Sequence, residues 1–220
     1  MRDLVVVVPS RGRPQNVRRL REAMDATCRG DTTLVVGLDS DDEGGYERLA
    51  GVEYEVRSGL RGFTPWVNEL AVPRAGTYRF TGALGDDCVP QTPGWDARIM
   101  AALGREPFAY ANDLYPLRPQ GSQVTHAFMR SEVVQALGYL GVPSLTHMFV
   151  DDAWGAWGAA CGIEYLGDVI IEHLHHSSGK APLDETYLRA EQSWPQCQAA
   201  YSAYCRGQLA QDIGAIKAVL

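Results

Sequence analysis

The strongest constraint on what this chain can fold into sits at its start. Residues 4–8 read Leu-Val-Val-Val-Val and stop at Pro9. A strand buried on both faces of a parallel sheet looks like this, because neither face alternates with solvent. The loop Ser10-Arg11-Gly12-Arg13-Pro14 breaks the run, and Val17, Leu20 and Met24 then recur at helical spacing before Gly30. Residues 32–38 form a second β-branched run, closed by the acidic loop Asp39-Ser40-Asp41-Asp42-Glu43-Gly44-Gly45. This β-α-β order predicts a right-handed crossover into a parallel sheet, the opening of a nucleotide-binding α/β fold.

Further along, the pattern predicts a strand at 52–57, a helix at 65–72 with Pro in its first turn, and a strand at 77–84. That last strand runs into Gly85-Asp86-Asp87-Cys88-Val89-Pro90. Two carboxylates therefore stand just past the carboxyl end of a strand, where open α/β sheets bind their ligands. Helices are expected at 96–103, at 131–137 with Ser131 as its cap, and at 151–161 with Gly162 past its end. Strands are expected at 108–114, 123–129, 163–166 and 169–175, and a helical tail at 187–219 interrupted near Pro195. With no repeat, low-complexity tract or linker in between, residues 1–220 are expected to form one domain.

Composition narrows the function classes. The formal net charge of −7 argues against a protein whose main task is coating nucleic acid. Charge is segregated: residues 1–30 hold seven arginines and three acids, and residues 31–60 hold eight acids and two arginines. An anionic ligand near the N-terminal third fits that split. The five cysteines, Cys28, Cys88, Cys161, Cys197 and Cys205, are scattered with no C-x-x-C pair, so they are read as reduced packing residues. No apolar run approaches the ~20 residues of a bilayer-spanning helix, so no membrane partner is expected and the location is read as cytoplasmic.

Four sets of residues carry candidate chemistry. Asp86 and Asp87 can hold a hard divalent cation, or serve as ordinary solvated turn residues. In Ile170-Ile171-Glu172-His173-Leu174-His175-His176, strand alternation sets His173 and His175 on one face, as a metal-ligating pair or as a polar strand end. Asp151 and Asp152 open a helix; an N-cap role explains one carboxylate, and a general base explains the second. Arg11, Arg13, Arg57 and Arg61 can pair with phosphate oxygens as planar forks. Lys180 is one of only two lysines. Trp66 and Trp95 are candidates for sugar stacking or for packing, while Trp154 and Trp157 read as core.

Taken in order, these pieces resemble the GT-A glycosyltransferases, especially the family-2-like enzymes, over roughly residues 3–187. The resemblance implies a Rossmann-like three-layer α/β/α sandwich with a mostly parallel central sheet and a helical C-terminal tail. It divides the chain into a nucleotide-binding half (1–90), an acceptor and catalytic half (91–183) and the tail (184–220). Pro9, Ser10, Arg11 and Arg13 match the opening strand and loop that hold base and ribose, and Asp39 and Asp41 match the acidic end of the second strand. Leu84-Gly85-Asp86-Asp87 stands where the family carries its Asp-x-Asp signature, with Gly85 in place of the first acid. By that likeness Asp86 faces ribose or metal, Asp87 with His173 or His175 binds Mn²⁺ or Mg²⁺, and Arg61 and Lys180 serve the donor diphosphate. Asp152, with Asp151 in reserve, takes the place of the acceptor base.

The implied activity is metal-dependent, inverting transfer of one sugar from a nucleotide sugar, a UDP-sugar by family preference, to an acceptor hydroxyl. The Gln-x-x-Arg-Trp signature of processive synthases is absent, which favours single transfer. The strand with its Glu-His-Leu-His, the Gly179-Lys180 loop and the pair Asp184 and Tyr187 are similar to bacteriophage-encoded glycosyltransferases. Hydroxymethylated phage DNA therefore joins glycan and protein among the implied acceptors, and host cytoplasm becomes the implied location. The rival readings are a nucleotidyltransferase, which Ser10–Pro14 disfavours by having one glycine and no lysine, a metal-dependent hydrolase, and a non-catalytic nucleotide-sugar or glycan-binding module.

Overall fold

A computed structural model describes residues 1–59 and 62–220. Its opening follows the expected order: β1 (Arg2–Ser10), α1 (Pro14–Thr27), β2 (Thr32–Asp39) and β3 (Val52–Arg57). Next come α2 (Phe63–Ala71), β4 (Tyr78–Ala83), a short β5 (Cys88–Pro90), α3 (Trp95–Leu103), β6 (Phe108–Asn112) and β7 (Phe128–Arg130). The remainder is α4 (Ser131–Leu137), α5 (Val150–Cys161), β8 (Ile163–His173), α6 (Glu185–Gln192), α7 (Trp194–Gly207) and α8 (Leu209–Lys217). The strands form one eight-stranded sheet in the order β3-β2-β1-β4-β7-β6-β8-β5. Four of its seven pairings are parallel, and β7 and β5 supply the antiparallel ones.

Both faces of the sheet are covered, which explains the unbroken valines of β1. Val5, Val7 and Val35 pack with Trp66, Val67 and Leu70 of α2 and with Trp154 and Trp157 of α5. Leu4, Val6, Val8, Leu34 and Val36 pack on the other face with Val17, Leu20 and Met24 of α1 and with Trp95 and Ile99 of α3. Strand alternation delivers successive side chains to opposite helical layers, giving the α/β/α sandwich. The C-terminal helices dock through a buried polar knot: the Tyr139 and Tyr204 hydroxyls donate to Asp212 at 2.6 and 2.7 Å, and Trp157 Nε1 donates to the Tyr204 hydroxyl at 2.7 Å.

Several expected elements differ. Only Phe128–Arg130 of the 123–129 run is strand, because Gln123 and Thr125 turn their side chains to Asp151 and Asp113 instead of joining a ladder. The 163–166 and 169–175 runs are a single strand with a register shift where β6 pairs first Leu166 and then Ile170, and it ends at His173. Ser131 does not cap α4; its hydroxyl is 2.7 Å from that of Thr81. The tail breaks at Ser193 and Gln208, while Pro195 sits harmlessly in the first turn of α7. Among the described residues, no helix is long and apolar enough to cross a membrane.

Candidate active site

The carboxyl ends of β1 and β4 and the far end of β8 meet at one point. Past β4 the chain turns through Gly85, Asp86 and Asp87 into β5, whose Cys88 lies opposite His173 in the antiparallel pair with β8. Asp86 and Asp87 are both buried, at 4% and 5% exposure, so they are not solvated turn acids. Two adjacent carboxylates in such a place need compensation, since an unpaired buried charge is costly. Gly85 also has a steric role here: a Cβ at that position would stand 2.5 Å from Asp87 Oδ1. The residue that departs from the Asp-x-Asp pattern is the one that gives the Asp87 carboxylate its room.

Compensation comes from five side chains. Ser10 Oγ donates to Asp86 Oδ2 at 2.5 Å and Asn16 Nδ2 to Asp86 Oδ1 at 3.4 Å. Arg13 Nη1 stands 3.3 Å from Asp86 Oδ1 and 3.7 Å from Asp87 Oδ2. Tyr187 donates its hydroxyl to Asp87 Oδ2 at 2.6 Å, and His173 Nε2 lies 3.3 Å from Asp87 Oδ1. Burial, then the charge of Asp87, pushes Asp86 up to about 6. Burial opposes ionisation of Asp87 too, but the facing His173 and the Tyr187 hydroxyl outweigh it and hold that carboxyl below its ordinary value. In return Asp87 holds His173 above the ordinary imidazole value against the cost of burial.

Arg13 is the hub. Its Nε and Nη2 form a two-point contact with Asp184 just before α6, both at 2.7 Å, and its guanidinium lies 4.0 Å from the centre of the Tyr187 ring. Tyr46 fixes the loop from below, accepting from the Arg13 backbone N–H at 3.0 Å and pairing with Ser10 Oγ at 3.0 Å. Pro9 lies in β1 opposite Gly37 of β2.

The acidic end of β2 forms a second cluster beside the first. Asp39 accepts from Arg11 Nη1 at 2.7 Å and from Trp66 Nε1 at 3.1 Å, and Arg11 also grips Asp41 at 2.7 and 2.8 Å. Arg11 thereby holds the Asp41 carboxyl down at about 2. Trp66 is 4% exposed and Trp95 fully buried, so Trp95 packs, against Phe128, and offers no face to a sugar. The Arg57 side chain spans Glu55 and Glu69 at the surface, although its backbone pairs with Asp39 at the end of β2, and Arg61 lies outside the described residues.

His175 falls beyond the end of β8, where its Nδ1 accepts from the Ser177 backbone N–H at 3.2 Å. Its ring centre is 5.2 Å from that of His173, and burial together with His173 lowers it to about 4. Lys180 bridges Glu172 at 2.8 Å and the Leu114 carbonyl at 2.9 Å. Asp151 is half-buried, accepts from Gln123 and from the Asp152 backbone N–H, and is raised to about 6 by burial and then by the charge of Asp152. Asp152 is exposed. Before them Phe149 takes a left-handed backbone conformation, φ 68°, a strained state for a bulky residue.

Three residues escaped the sequence reading. Cys88 was a packing residue there, yet it shares a face with His173. His126 is fully buried beside it, with Nδ1 3.8 Å from Cys88 Sγ and burial lowering the imidazole to about 4. His147, lowered to about 4 mainly by burial, feels the charges of Asp87 and Arg13. Only the pairing of β5 with β8 reveals Cys88, and no local pattern marks the two histidines.

No protein-family model and no curated protein matches the sequence. Solved structures match it in fold. Glucosyl-3-phosphoglycerate synthase from Mycobacterium tuberculosis, with Mn²⁺, UDP-glucose and glycerol 3-phosphate, matches at a TM-score of 0.63 and 14% identity, over 90% of this chain and 80% of that one. Mannosyltransferase PcManGT from Pyrobaculum calidifontis, with GDP-mannose and Mn²⁺, matches at 0.59 and 13%, over 94% and 78%. S. aureus TarS matches at 0.60 and 13% over 77% of this chain, which spans 36% of the TarS chain. The fold is therefore the GT-A, Rossmann-like α/β fold.

Proposed function

We propose that this chain is a metal-dependent glycosyltransferase that moves one sugar from a nucleotide-sugar donor, first a UDP-sugar, to an acceptor hydroxyl. Residues 1–90 would form the nucleotide-binding half and 91–183 the acceptor and catalytic half, followed by the helical tail 184–220. The observation that carries this reading is the convergence of Asp86, Asp87, Arg13 and His173 at the carboxyl ends of the sheet. A carboxylate and an imidazole at 3.3 Å fit a divalent cation. Mn²⁺ or Mg²⁺ held by Asp87 with His173, and His175 in support, would neutralise charge on the departing diphosphate.

The remaining work falls to the chain itself. Arg13 and Arg11 present guanidinium forks suited to phosphate oxygens, and each is now held by carboxylates that an incoming anion would replace. Asp39 and Asp41, at the end of β2, are acceptors for hydroxyl and N–H groups of the nucleoside, and Asp86 with Ser10 is placed to meet the ribose. Lys180 lies in the loop that follows β8, ready to add charge at the diphosphate. For the acceptor, the Asp151–Asp152 pair supplies the base. Burial raises the Asp151 carboxyl to about 6, nearer to neutral pH where a general base works best, and this supports Asp151 in that role. One in-line displacement inverts the anomeric carbon.

The test is release of nucleoside diphosphate from UDP- and GDP-sugars with Mn²⁺, using saccharide, protein and hydroxymethylated DNA as acceptors. Acceptor-dependent release, lost at least about 100-fold in Asp87→Ala, is expected, with product stereochemistry read by NMR. Release that ignores every acceptor would indicate a hydrolase, and donor binding without turnover a binding module; either result overturns the proposal.

A further inference from the structure

The geometry points to a sulfur donor in the cation pocket: we propose that Asp87, Cys88 and His173 together bind a thiophilic divalent ion of the zinc type. This deepens the reading above and rests on it for the pocket itself. Residues directly opposite each other in an antiparallel pair share a face, so the Cys88–His173 register aims thiol and imidazole the same way. Asp87, one residue earlier, closes the triangle, with one donor atom of each residue within 4.8 Å of the other two. Donors around tetrahedral zinc stand roughly 3.3–3.8 Å apart, given metal–ligand bonds of about 2.0–2.3 Å. Asp87 and His173 already meet that at 3.3 Å, so the sulfur needs to close by about 1 Å at most.

The surroundings of the sulfur supply an independent reason. Cys88 is 2% exposed, and behind it the fully buried His126 brings Nδ1 to 3.8 Å while its Nε2 has no hydrogen-bond partner among the described residues. A buried imidazole left half-satisfied is costly and marks a place where polar chemistry is retained for a purpose. A hydrogen bond from His126 to a metal-bound sulfur would orient that ligand from behind, as partners of ligating residues commonly do. Carboxylate, imidazole and thiolate suit Zn²⁺ and Co²⁺, whereas Mg²⁺ and Mn²⁺ prefer oxygen. When the ion binds, the thiol proton leaves to solvent and the sulfur takes its place as ligand. Zinc so held competes with Mn²⁺ for Asp87 and His173.

The test titrates Co²⁺ into the metal-stripped full chain, following absorbance and, in parallel, calorimetry with Co²⁺, Zn²⁺ and Mn²⁺. A near-ultraviolet sulfur-to-cobalt charge-transfer band is expected in the parent and absent from C88S and C88A, although four other cysteines remain. Zinc affinity should fall about 10- to 100-fold in both variants while Mn²⁺ affinity stays within about twofold. Because zinc outbinds manganese at most sites, the variant-dependent change and not the bare preference is diagnostic. Co²⁺ binding without the band, or with a band that survives in both variants, overturns the sulfur donor and leaves the Asp87–His173 site standing. No heat with any of the three ions overturns both.

Discussion

Arg13 is the guanidinium that faces both buried acids, and its removal tests the electrostatic account most sharply. In Arg13→Met the side chain keeps much of its length, but Asp86 and Asp87 lose a guanidinium at 3.3 and 3.7 Å, and Asp184 loses both of its 2.7 Å contacts. The Arg13 side chain is only 8% exposed, so water does not replace it. Removing one partner of a buried ion network costs about 3–5 kcal/mol. For a chain of this size each kcal/mol moves the melting temperature by about 2–4 °C, so a fall of about 6–20 °C is expected by calorimetry in EDTA. Adding Mn²⁺ should raise the melting temperature of Arg13→Met more than that of the parent, because the ion restores the missing positive charge. Melting within about 2 °C of the parent in EDTA would refute the assignment of Arg13 as counter-charge.

Further outcomes follow from the same geometry. Between pH of about 4 and 6 Asp86, raised to about 6, keeps its proton in the native metal-stripped chain and loses it in the unfolded one, so its own contribution to stability falls as pH rises, against the opposite contributions of His126, His147 and His175, each lowered to about 4. Denaturant titrations should show stability in Asp86→Asn changing across the window by up to about 3 kcal/mol more in the rising direction than in the parent. Below pH of about 4 the sign reverses, as Asp87 takes up a proton and its contribution is lost. Asp151→Asn should lower kcat by about 10²- to 10⁴-fold with KM little changed, and Asp152→Asn by much less, in steady-state assays. Gly85→Ala places a methyl 2.5 Å from Asp87 Oδ1 and should weaken Mn²⁺ binding about tenfold or more by calorimetry, with circular dichroism unchanged.

Much of this was legible from residue order, for an identifiable reason. In the β1-α1-β2 opening the two strand cores are continuous apolar runs, because both sheet faces are covered, and α1 between them shows helical spacing of Val17, Leu20 and Met24. The Asp86-Asp87 turn was legible because a strand pattern runs directly into it. What was hidden depends on long-range pairing. The three residues of β5 are too few to show a period, yet they bring Cys88 opposite His173. His126 comes from a loop that looked like strand until Thr125 and Gln123 are seen bonded to Asp113 and Asp151. The Asp184 and Tyr187 pair could be seen as a spacing, but their grip on Arg13 and Asp87 links residues 171 and 100 positions apart. Alternation placed His173 and His175 together, whereas the strand stops between them and Ser177 holds the second ring.

Calorimetric titration of a nucleotide-sugar panel, in Mn²⁺ and again in EDTA, measures whether Asp87 and His173 recruit a cation that recruits the donor. One UDP- or GDP-sugar is expected to bind only with Mn²⁺, and to raise the melting temperature by about 5–10 °C at a hundred times its Kd. Asp87→Ala should abolish both effects while remaining folded. Equal donor affinity in Mn²⁺ and EDTA, or full affinity in Asp87→Ala, would contradict the account.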